Sequence, residues 1–132
     1  MSNWAEGLAG QAAADDARIE ATWNQLGADL NLVVEAIDKK VDESSPRKLS
    51  LNASPDLVQL ISKNGRSASF RLDRASGFLK LTTTWGLPEA GFQLAQPGQL
   101  SPRGNAYPNL VQKAQISTSE LVERVAKDVD LL

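Results

Sequence analysis

The stretch from Ile19 to Ile37, IEATWNQLGADLNLVVEAI, decides how this chain is built. Its apolar residues Ile19, Trp23, Leu26, Leu30, Val33 and Ile37 recur at steps of four and three, and Val41 continues the series. That is the period of an α-helix with one apolar stripe. The spacing predicts a helix over residues 14–42, roughly 40 Å long at about 1.5 Å per residue. Asp15, Asp16 and Glu20 near its start and Lys39 and Lys40 near its end complement the helix dipole. Ser44-Ser45-Pro46 stops it. Residues 1–13, rich in Ala and carrying Gly7 and Gly10, are expected to fray or to extend the helix weakly.

Downstream the period changes from 3.6 to 2. Leu49, Leu51 and Ala53 alternate with Lys48, Ser50 and Asn52. A mixed apolar run, Leu57 to Ser62, leads into Asn64-Gly65, the strongest short hairpin signal and one that suits a two-residue type I′ turn. Ala68, Phe70 and Leu72 then alternate with Ser69, Arg71 and Asp73, and Ala75-Ser76-Gly77 turns the chain again. Leu79, Leu81, Thr83 and Trp85 alternate with Lys80, Thr82 and Thr84. The pattern is an antiparallel meander with one apolar and one wet face. From Gly86 to Pro108 prolines and glycines punctuate a Gln- and Asn-rich stretch, which reads as a long loop with at most one short edge strand at Phe92 and Leu94. Leu87, Phe92, Leu100 and Tyr107 are its apolar residues, suited to covering the core or to holding a ligand. The last segment is a helix: Ser117 and Glu120 form a capping box, and Leu121, Val125 and Val129 follow at helical spacing. The expected fold is one α+β domain over residues 1–132, with both helices packed on one face of an antiparallel meander of three to five strands. Trp23, Leu30, Phe70, Leu81, Trp85 and Val125 are its expected core.

The residue inventory narrows the chemistry. The chain has no cysteine and no histidine, which removes disulfides, thiolate chemistry, the usual neutral-pH general base and the commonest transition-metal ligand. Asp16 with Glu20, and Glu35 or Asp38 with Asp42, share helix faces, but no Glu-x-x-His partner exists to complete a bundle-type metal site, and they read as solvated acids. Asp56, Asp73 and Glu89 carry no spacing that marks a catalytic pair across a cleft, and the glycines match no phosphate-binding loop. The expectation is a protein that is not an enzyme and needs no cofactor or metal. No apolar run is long enough to span a membrane, and the N-terminal sequence lacks the basic and apolar segments of a secretory signal, so a cytoplasmic location is expected.

Two features speak to partners. The predicted rod is about twice the roughly 20 Å length of a six-residue strand, so part of its stripe overhangs, and exposed apolar stripes mark interfaces. The expected partner interface is therefore Ile19, Trp23, Leu26, Leu30, Val33 and Ile37, and the expected function is a protein-interaction module, adaptor or chaperone-like, that forms a homodimer through this helix or through a strand edge. The positions flanking the stripe, Glu20, Gly27, Val34, Thr22, Asp29 and Ala36, lack the charge pairs of a free-standing zipper, so the rod packs first on its own sheet. The second feature is charge. Residues 1–46 carry nine acids and three bases, a balance of −6; residues 47–116 carry three acids and nine bases, +6; residues 117–132 carry four acids and two bases, −2. Acidic helices beside a basic sheet explain most of this asymmetry. The alternative function is a nucleic-acid or other anion binder that uses Lys48, Arg71 and Lys80 on the wet face, although single-strand binders interleave more aromatics among their cations.

Overall fold

The computed structural model describes residues 4–85, 87–94, 98–103 and 115–131. Helix α1 spans Trp4–Asp38 and is followed by β1 (Leu49–Ala53), β2 (Leu57–Ser62), β3 (Ser67–Asp73), β4 (Phe78–Thr83), β5 (Ala90–Leu94), β6 (Gln99–Arg103) and β7 (Ile116–Ser117), which leads directly into α2 (Thr118–Leu131). The strands form one seven-stranded antiparallel sheet whose spatial order is the chain order. The class is α+β, as the change of period implies, with more strands than the three to five expected.

The two-residue β7 precedes α2, and β6 joins β5, the one short strand expected at Phe92 and Leu94, in the stretch that reads as a long loop. β5 and β6 run through it with Phe92 and Leu100 fully buried, and Leu87 half-buried against the core. Pro102 disguises β6, but it lies beyond the two residues of β7, where β6 is an edge among the described residues and tolerates a residue without an N–H. Tyr107 is outside the described residues.

The hairpin between β2 and β3 is longer than a two-residue turn. Ser62 N–H bonds the Arg66 carbonyl at 2.9 Å, which leaves Lys63, Asn64 and Gly65 as the loop, and Gly65 takes the left-handed position at φ 96°. Gly77, at φ 67°, closes the next hairpin; a Cβ there would stand 3.2 Å from Ile19 Cδ1, so α1 rests on this turn.

Both helices cover the same sheet face. Ile19, Trp23, Leu26 and Leu30 of α1 and Leu121, Val122, Val125 and Val129 of α2 are buried with Leu60, Phe70, Leu79 and Leu81 beneath them. Trp23 keeps its indole N–H satisfied by the Pro55 carbonyl at 3.1 Å. Trp85 is an exception to the expected core: it follows the end of β4, is half-buried, and lies under the Arg66 guanidinium, 5.8 Å from the ring centre. The capping box of α2 is formed, with Glu120 N–H donating to Ser117 Oγ at 3.1 Å and Ser117 N–H to Glu120 Oε1 at 3.4 Å. The β2–β3 loop closes the other end of α2, as Asn64 Nδ2 and Arg66 Nη1 donate to the carbonyls of Val129 and Asp128 at 3.0 and 3.2 Å.

Candidate interaction surfaces

Helix α1 is 35 residues, about 52 Å long. It starts ten residues earlier than the spacing predicts and ends four residues sooner. Ala5, Ala9, Ala12, Ala13, Ala14 and Ala17 supply the helix propensity that Gly7 and Gly10 reduce. Residues 4–14 are all exposed and form an arm that leaves the sheet at Ile19. The heptad-like steps continue backward from Ile19 through Asp15, Ala12 and Leu8 to Trp4, on the same helix face that packs in the core. Trp4 is 73% and Leu8 64% exposed. The outward extension of the stripe is thus in the part of the chain that reads as frayed, and the same spacing could have revealed it.

The six residues of the expected interface are largely committed elsewhere. Ile19, Trp23, Leu26 and Leu30 are buried in the chain's own core, and Val33 and Ile37 are half-buried against it. On that face the overhang lies at the start of the helix. Leu32, 69% exposed, points away from the core beside a shallow apolar groove of about 350 Å³ lined by Val33, Val122 and Ala126.

A cleft of about 370 Å³ opens at the base of the arm, lined by Asp16, Ile19, Glu20, Arg74 and Ala75. Arg74 organises it. Its guanidinium pairs with Glu20 on α1 and Asp56 in the β1–β2 turn, and donates to the Pro55 carbonyl at 2.8 Å. These bonds, that to Glu20 foremost, hold its pKa above the usual arginine value. Glu20 is therefore occupied by a cation, as is Asp38, which pairs with Lys48. Among the described residues no group of three or more acidic, cysteine or histidine side chains could hold a metal ion.

Among the described residues the opposite face of the sheet carries no helix. Lys48 does not belong to it. It precedes β1, and its ammonium is tied to Asp38 and, at 3.2 Å, to Glu43, with the side chain 11% exposed. The chain returning from α1 sets its direction, overriding the strand alternation that would place it outward. Arg71 and Lys80 do stand on the wet face, directly opposite each other across β3 and β4. Lys80 faces Gly91 on β5, and Gly91 faces Arg103 on β6. Three cations thus lie in one row across four strands. At Gly91 a Cβ would collide with Phe78 Cζ and come within 3.0 Å of the Arg103 carbonyl oxygen. The far end of the Phe78 ring therefore occupies the gap between Lys80 and Arg103. Arg103 escapes a reading in which β6 is a loop, and so does this row.

No protein-family model, no curated protein and no solved structure matches the chain. No helix among the described residues is long and apolar enough to cross a membrane.

Proposed function

We propose that this chain is a non-enzymatic protein-interaction module, adaptor or chaperone-like in kind, that forms a homodimer through the N-terminal arm of α1. The observation that carries the reading is the exposed continuation of the core stripe, Trp4 and Leu8, on a helical arm whose residues 4–14 are all exposed. A second copy suits the arm because the arm's length matches the distance from its tip to its own base. Trp4 lies 15 residues from Ile19, about 22 Å along the helix. Two arms packed antiparallel about a two-fold axis set each Trp4 at the other copy's Ile19 cleft, and Ala5, Ala9 and Ala12 let the helices approach closely. The cysteine-free sequence suits a reducing compartment, and the proposal sets the module in the cytoplasm.

Light scattering on the eluting peak tests this. The full chain should run as a dimer that dissociates on dilution, and Trp4→Ala with Leu8→Ala should run as a folded monomer with unchanged core stability. A full chain that is monomeric at every concentration, or a dimer indifferent to both substitutions, would refute the arm as the interface.

A further inference from the structure

The row on the bare face poses an electrostatic problem. Like charges directly opposite on neighbouring strands repel, and Arg71 opposes Lys80. Lys80 has one weak partner, Glu89 at 3.9 Å with both side chains half exposed. Arg71 makes no ion pair among the described residues, and the guanidinium of Arg103 donates there only to the carbonyl of its neighbour Pro102, at 3.3 Å. Asp73, the acid of β3 on this face, is engaged in the β3–β4 turn, where its carboxylate accepts the Ala75 N–H at 3.1 Å. Phe78 interrupts the cations with an aromatic ring, at a place kept open by the missing side chain of Gly91. Around the row stand the neutral hydrogen-bonding groups Gln59, Ser69, Thr82 and Gln93, with Leu57 directly opposite Arg71 on β2.

We propose that this row binds single-stranded nucleic acid, with phosphates on Arg71, Lys80 and Arg103 and a base against Phe78. An extended acidic peptide would use the cations equally well but would have no use for the aromatic between them. Arg71 to Arg103 spans three strand spacings, about 14 Å, which suits a site at the short end of the range of about 4–16 nucleotides per binding fold. The dimer interface proposed above lies on another face, and neither reading depends on the other.

Titration of the full chain with a short oligothymidylate, at salt concentrations from 50 to 200 mM, tests the site. With three phosphate contacts the affinity should fall with a log–log slope of about −2, roughly 15-fold across that range. Arg71→Ala should lower the magnitude of the slope by about 0.7. Phe78→Leu, which keeps an apolar side chain over Gly91, should weaken binding at least about five-fold while leaving the slope unchanged. Circular dichroism on each variant separates lost binding from lost folding. A dissociation constant weaker than about 0.1 mM at the lowest salt overturns the proposal. So does equal binding of a polyglutamate peptide with no effect of Phe78→Leu, which would make the row a peptide or general polyanion surface.

Discussion

Trp23 does two jobs with one side chain. Its ring is buried in the core, and its N–H reaches across to the β1–β2 turn at Pro55. Trp23→Phe keeps most of the apolar area and loses the hydrogen bond, so it should cost about 1 kcal/mol in urea denaturation. Trp23→Ala also opens a cavity and should cost about 3–5 kcal/mol. At Gly91 the logic is reversed, because the position is full. Gly91→Ala should cost about 1–3 kcal/mol by overpacking against Phe78. Combined with Phe78→Ala, the added cost of the alanine should largely vanish, which a double-mutant cycle in the same denaturant would measure. Additive losses would mean that the Arg103 backbone, rather than the ring, sets the limit. Neither role was visible in the sequence. The indole's acceptor lies 32 positions downstream, and Gly91 stands in a segment whose texture hides a strand.

Among the elements, those with a clean period were legible. The stripe of α1 from Ile19 to Ile37, the alternation in β3 and β4, and the capping box of α2 all appear where their residue patterns put them. What failed was punctuation. Pro88, Gly91, Gly98 and Pro102 argue for a loop locally, yet the ladder supplied by β4 and the apolar faces of Phe92, Leu94 and Leu100 outweigh them. The arm failed for a related reason. Gly7 and Gly10 argue for fraying, and the alanines around them prevail. Because residues 4–14 are all exposed, deleting them should leave the stability of the monomer within about 0.5 kcal/mol of the parent while removing about a third of the helical signal of α1. Ser117→Ala acts at the opposite end of the chain. It removes the cap of α2 and should cost about 1 kcal/mol, with Ser117→Thr restoring most of it.

At the scale of the whole molecule, the sheet order equals the chain order, and among the described residues the two helices bring distant parts of the sequence together. Thr118 Oγ1 bonds Asp29 at 2.6 Å, and Gly98 N–H donates to Thr22 Oγ1 at 3.2 Å, so the end of the meander is tied to the middle of α1. Protection in hydrogen exchange should therefore be greatest in β3, β4 and the central part of α1, and lowest in residues 4–14 at concentrations where the chain is monomeric. The pH response should be equally distinctive. The chain has no histidine, so no side chain has an ordinary pKa between 6 and 8. Arg74 is raised, chiefly by its hydrogen bond to Glu20. A raised cation contributes its full stability below its unfolded pKa and loses it only as pH climbs through the folded value, far into strong base. Melting temperature should thus be flat between pH 6 and 8, as calorimetry would show. A marked slope there would require a carboxyl group displaced far upward.

The three tryptophans stand in three different settings: Trp4 on the free arm, Trp23 inside, and Trp85 half-covered by Arg66. The chain is consequently its own optical gauge. Acrylamide should extinguish the emission of Trp4 readily and that of Trp23 hardly at all. Assembly through the arm should shift the Trp4 emission to shorter wavelength and shield it from the quencher. A two-component quenching curve on the unlabelled protein, repeated as the sample is concentrated, would read the state of the arm against an internal reference that does not move.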